Sequence, residues 1–159
     1  MPSYKTKVIW KGGRRGHLIC GNGLEMDFAA PPALYGEQGV LTPEDAFVAA
    51  VNTCFHMMLI WAFERNRVEL VSYECEAEGI VRDLLDRTSI FETVILRPKI
   101  TVRKAAEAGG KRPPLEETVR KCLKSAEKFS LVAQSIKSRL VVEPEIKIEY
   151  RSQNTEYRS

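Results

Sequence analysis

The sequence predicts a single α+β domain whose elements follow the order βββ-α-ββ-α-β. Three observations lead there. The first thirty residues alternate short half-apolar runs with glycine-rich turns. An apolar run from Thr42 to Phe63 opens with helix start signals, and two later runs alternate in the manner of long strands. A chain of 159 residues is long enough to bury a core without disulfide or metal staples.

Taken in order, residues 4–10, YKTKVIW, alternate as a strand, and KGGRRGH follows as a glycine-rich turn carrying Arg14 and Arg15 side by side. HLIC and LEMDF read as two further short strands, parted by GNG, whose Asn-Gly pair signals a tight turn. An antiparallel meander is expected. AAPPALYGEQGVL is a loop, marked by Pro31, Pro32, Gly36 and Gly39. The helix then starts with Thr42 as its cap and Pro43 in the first helical position. Asp45 completes a short-side-chain capping box, and the helix runs to about Arg67. Apolar nearly all round, it should be buried on most sides, and a second subunit is expected to cover what one small sheet leaves open.

VELVSYECEAEGIVRDL and SIFETVILRPKITVRK read as two long strands, and AAEAGGKRPP as a flexible crossover. LEETVRKCLKSAEKF is an amphipathic helix, with Leu115, Val119, Cys122, Leu123, Ala126 and Phe129 at helical spacing. SLVAQSIK either continues that helix or forms a separate short turn. LVVEPEIKIEY closes as an edge strand, since Pro144 removes one ladder donor, and the tail SQNTEYRS is expected to fray. No internal repeat or second domain is visible.

Composition narrows the function. The chain is 44% apolar and 28% charged, with a net charge of +3, as in an ordinary globular protein. Its basic residues are interleaved with acidic ones, as in VRKCLKSAEK, so a nucleic-acid-binding stripe is not expected. MPSYKTKVIW lacks the apolar stretch of a secretion signal. The Met57–Phe63 run, bounded by Asn52, Thr53, Glu64 and Arg65, is too short for a bilayer span. A cytoplasmic location is expected. Cys20, Cys54, Cys75 and Cys122 are dispersed and only two histidines are present. A metal site is therefore not expected, and the thiols should be free. GGKRPP lacks the preceding strand and following hydroxyl of a phosphate loop, and no dinucleotide fingerprint occurs.

Cys54, near the middle of the apolar helix, has two readings. A free cysteine among Ala50, Val51, Met57 and Met58 is ordinarily a core residue with a disfavoured thiolate. As a nucleophile it would need a cation from elsewhere, because Arg65 lies about 16 Å away along the helix. A helix break at Asn52-Thr53 would also place the thiol at a new N-terminus. The best cation source is GGRRG, where a guanidinium on a glycine-rich turn can be aimed at a thiolate; a solvated hairpin is its plain alternative. His56 projects from a different helical face than Cys54 and suits a partly buried or interface position. His17 fits a solvated turn, and Trp61 and Phe63 fit core or interface.

GGRRG, then TPEDAFVAAVNTC with the cysteine ten positions after Glu44, then AEKFS in the last helix, together resemble the OsmC/Ohr family of organic hydroperoxide reductases. The likeness runs from about Tyr4 to Tyr150. It implies an OsmC-like fold of antiparallel sheets around a long buried helix, in an intertwined homodimer with active sites at the subunit interface. It also implies that Cys54 attacks a peroxide oxygen, that Arg14 supports the thiolate, with Arg15 as competitor, and that Glu44 orients the arginine. Phe55 and Met58 would receive the alkyl part of the substrate. No bound cofactor is implied, only an external thiol or dithiol reductant. Since ten residues of helix separate Glu44 from Cys54 by about 15 Å, a shared site requires a helix break or a glutamate from the partner chain.

The chain departs from the family where a resolving cysteine belongs: AEKFS places Ser130 there, and serine cannot close a disulfide. Cys122, eight residues earlier, is a secondary candidate, with Cys20 and Cys75 behind it. Three readings stay open: Cys54 acting alone with an external thiol, thiol redox sensing or transfer, and a non-catalytic dimeric module binding a small apolar ligand.

Overall fold

The computed structural model describes residues 1–104 and 112–150. The crossover residues 105–111 and the tail from Arg151, both anticipated as flexible, lie outside the described residues. The chain forms two compact units, Met1–Ala49 and the remainder from Ala50 onward.

The first unit is the expected meander: β1 (Thr6–Trp10), β2 (Arg15–Cys20) and β3 (Glu25–Ala29), paired antiparallel in that order. Val8 faces Leu18 across the first pair, and Leu18 faces Met26 across the second. In the GNG turn the Asn22 side chain accepts from the Leu24 amide at 3.1 Å, and Gly23 sits at φ +95°. Within the proline-rich loop a 3-10 turn spans Pro32–Leu34, and Leu41 bridges Phe28.

α1 (Pro43–Arg65) starts as anticipated. The Thr42 hydroxyl accepts from the Asp45 amide at 3.0 Å and donates to the Asp45 carboxylate at 2.8 Å, so the cap satisfies an orphan helix donor. The helix runs unbroken through Asn52 and Thr53. At its end Arg67 turns left-handed, at φ +54°, while Val68 N donates to Phe63 O and Arg67 N to Glu64 O. This is a Schellman closure with an arginine where glycine is usual. Val51, Phe55, Leu59, Ala62 and Phe63 form one buried stripe, whereas Met57 and Trp61 are exposed. Within one chain, then, a single face is covered. By length and composition α1 is apolar enough to cross a membrane, with a mean hydropathy of 1.7. That exceeds what Met57–Phe63 alone suggested, because the helix continues through Asn52 and Thr53; the Asn52 amide donates to the Cys75 carbonyl at 3.0 Å.

The second unit is built on β4 (Glu69–Asp83) and β5 (Ser89–Lys104), a long antiparallel hairpin. On β5, Val94, Leu96, Pro98, Ile100 and Val102 point inward in strict alternation. On β4, Glu74, Glu76 and Glu78 point outward and pair with Arg97 and Lys99. α2 (Leu115–Phe129) buries Val119, Cys122, Leu123 and Ala126. Phe129, expected in that stripe, is exposed and meets the Trp61 ring edge-on at 5.8 Å. SLVAQSIK forms the separate short element, α3 (Leu131–Ser135).

The last segment differs from a single edge strand. It divides into β6 (Arg139–Val142) and β7 (Glu145–Tyr150), which pair parallel to β5 end to end along its second edge. The break falls at Glu143-Pro144, opposite Arg97-Pro98. Neither proline has an amide hydrogen to give the ladder, so the pairing lapses there and resumes beyond.

Candidate functional site

Arg14, Arg15 and Glu44 are all in the first unit. Gly12 and Gly13, at φ +99° and +52°, form a turn that a side chain would strain. Arg15 N closes it on Gly12 O at 3.1 Å, and Ala30 N fixes Arg14 through its carbonyl at 3.2 Å. This presents the two adjacent arginines differently. Arg15 is held by Asp27 at 2.6 Å and by Glu37, so its charge is already matched. Arg14 has no carboxylate partner among the described residues; its guanidinium lies over the Tyr35 ring at 5.7 Å from the centroid. Both line a cavity of about 410 Å³, together with Trp10, Phe28, Pro31 and Glu44. One Glu44 carboxylate oxygen is buried without a hydrogen-bond partner, which is costly unless something bonds it. Beside this corner His17 lies between Asp27 (2.8 Å) and Glu25 (3.1 Å). Those carboxylates, Asp27 first, push its imidazole above the ordinary value, and His17 in turn holds Asp27 below the usual carboxylate range.

Cys54, Phe55, Met58, Cys122 and Ser130 are in the second unit. Cys54 is half-buried, and its sulfur accepts a hydrogen bond from the Ser130 hydroxyl at 3.1 Å. Cys122 is fully buried and instead donates from its thiol to the Ala62 carbonyl at 3.6 Å. From Ala62 back to Cys54, and from Cys122 on to Ser130, the rise is about 12 Å. The helices therefore bring Ser130, and not Cys122, to the Cys54 sulfur. Cys75 on β4 donates to the Glu76 carbonyl at 3.6 Å. Burial pushes both the Cys75 and Cys122 thiols up. Phe55, expected to receive the substrate's alkyl group, is instead fully buried in the core stripe; Met58 is half-buried. The His56 ring packs against Tyr73 at 4.7 Å between centroids, tilted by 46°, with its Nδ1 buried and without a hydrogen-bond partner.

Sequence reasoning missed two features: the bond from Ser130 to Cys54, and the occupation of Arg15 by Asp27 and Glu37. The first had a signal, since the resemblance sets Ser130 where a resolving cysteine would pair with Cys54. No group of three metal-binding side chains occurs among the described residues.

Comparison with solved structures returns proteins of the same architecture over nearly their whole length. An OsmC-like protein of unknown function from Vibrio cholerae shares 22% identity, with a TM-score of 0.78, covering 91% of this chain and 99% of that one. An organic hydroperoxide resistance protein from Elizabethkingia anophelis shares 18%, with a TM-score of 0.69 and coverages of 94% and 98%. Another from Bacillus subtilis shares 20%, at 0.58, with coverages of 91% and 98%. No match is found among curated proteins. The OsmC-like protein family model matches residues 36–145, more than half of the chain. The chain belongs to the OsmC-like family.

Proposed function

We propose that the protein reduces organic hydroperoxides, with Cys54 as the nucleophile and an external thiol as the reductant. The observation that carries this reading is what each sulfur meets. Cys75 and Cys122 donate to backbone carbonyls, whereas the half-buried Cys54 sulfur meets the Ser130 hydroxyl, a group able to donate to a thiolate. The hydroperoxide resistance proteins of the same fold support the substrate class.

In the reaction, the Cys54 thiolate attacks the terminal oxygen of ROOH. The S–O bond forms as the O–O bond breaks, sulfur is oxidised to the sulfenic acid, and the alkoxide leaves with a proton as ROH. Ser130 cannot form a disulfide and Cys122 is turned to Ala62, so the sulfenic acid condenses with an external thiol and releases water. A second thiol then attacks the mixed disulfide, freeing Cys54 and the oxidised reductant. Arg14, the guanidinium without a carboxylate partner, stabilises the thiolate and the departing oxygen, and Glu44 orients it. Because α1 is unbroken, Glu44 and Cys54 of one helix are about 15 Å apart in rise. We assign the Arg14–Glu44 corner that serves a given Cys54 to the second copy of a homodimer. No bound cofactor takes part, and the setting is cytoplasmic.

The test is consumption of cumene hydroperoxide in excess thiol, with Cys54→Ser, Cys122→Ser and Arg14→Ala variants. Turnover should vanish in Cys54→Ser, persist in Cys122→Ser and fall about a hundredfold in Arg14→Ala, the scale of losing one preorganised electrostatic group. Equal turnover in the wild type and Cys54→Ser would overturn the reading.

A further inference from the structure

The fully buried Ser130 is clamped on every polar atom. Its amide donates to the Ala126 carbonyl at 3.1 Å, closing α2, and its carbonyl accepts from the Gln134 amide at 3.0 Å, opening α3. Its φ of −69° and ψ of 112° make it the extended break between the helices. The hydroxyl oxygen accepts from the Ala133 amide at 3.2 Å. A hydroxyl has one proton to donate; the Ala133 N–H leaves that proton free, and the Cys54 sulfur lies at 3.1 Å to receive it.

We propose that Ser130 is a positioning residue for Cys54, its buried hydroxyl donating to the sulfur and favouring the thiolate over the thiol. A hydrogen bond to an ionised acceptor is shorter and stronger than one to its neutral form, so the donor shifts the equilibrium toward the charged sulfur. Two helix ends fix the oxygen in place, so the bond does not have to be organised anew when a proton leaves. The consequence for turnover rests on the peroxidatic reading; the effect on the sulfur does not.

The experiment follows iodoacetamide labelling of Cys54 in the full chain against pH, read peptide by peptide by mass spectrometry, so the other cysteines need no substitution. Ser130→Ala should slow Cys54 labelling about tenfold on the acid side and move the profile up by about one pH unit, the size of one hydrogen bond to a charged group. Ser130→Thr, which keeps the hydroxyl, should restore most of the profile. Ser130→Ala also removes the cap of α3, so Ser130→Gly is measured beside it. Glycine caps nearly as well as serine, and that variant should show the same shift while retaining more of the thermal stability. An unchanged profile in a folded Ala or Gly variant would overturn the role of Ser130 even if hydroperoxide turnover is found. A shifted profile in a protein that consumes no hydroperoxide would overturn the peroxidatic reading and leave the role of Ser130 standing.

Discussion

Arg14 and Arg15 are neighbours in the chain and opposites in circumstance: one guanidinium is neutralised by Asp27 and Glu37, the other rests on an aromatic ring. The same carboxylate cluster makes His17 sensitive to pH. Its imidazole is raised by Asp27 and Glu25, so its contribution to stability is complete below the unfolded value of about 6.5 and is lost as pH rises through the folded one. Asp27 is lowered, so its contribution is present above its unfolded value near 3.9 and is lost as pH falls through the folded one. The difference in melting temperature between the wild type and His17→Gln should therefore be largest near pH 5 to 6 and shrink toward pH 8. A difference that grows toward pH 8 would contradict this. The arginine turn, the start of α1 at Thr42–Asp45 and the place of Cys54 within α1 were legible in the sequence because each rests on a short local pattern. The bond between Cys54 and Ser130 was legible only through the family likeness of AEKFS, because it depends on how α2 lies along α1, and no local pattern encodes that register. Nor could spacing show that Phe55 falls in the core, since α1 is apolar on several faces.

The helix and strand boundaries read best where local chemistry is decisive. β5 begins and ends where its alternation does, and Thr42 with Asp45 marks the start of α1. The far end of α1 carries a strain the composition did not announce, with Arg67 in the left-handed region. Left-handed backbone costs a side chain on the order of 1 kcal/mol relative to glycine. Arg67→Gly should thus raise the melting temperature by about 3 °C in a domain of this size, measured by circular dichroism; a lower value would show that the arginine side chain matters more than its backbone. The division of the last strand was not readable either. Pro144 alone looks like an edge-strand proline, and only parallel pairing with β5 brings it level with Pro98, where two missing donors coincide.

Each unit of the molecule leaves large apolar side chains in the open: Val8, Trp10 and Tyr35 in the first, Met57, Trp61, Phe129 and Leu131 in the second. The proposed homodimer would give such side chains a cover, and α1 has only one covered stripe. Light scattering at micromolar concentration should return twice the 18.0 kDa of one chain, and Met57→Asp should lower it toward a single chain. A single-chain mass for the wild type would remove the second copy, and with it the source assigned to the Arg14–Glu44 corner. One further consequence lies in β5, the strand to which β4, β6 and β7 all bond. The β4–β5 hairpin joins chain neighbours and can close early, but the other edge of β5 is filled by segments made only after α2 and α3. On the ribosome, Ile100 and Val102 must wait with one flank unpaired until β7 emerges, and that interval is when a nascent chain is most open to sticking to its neighbours.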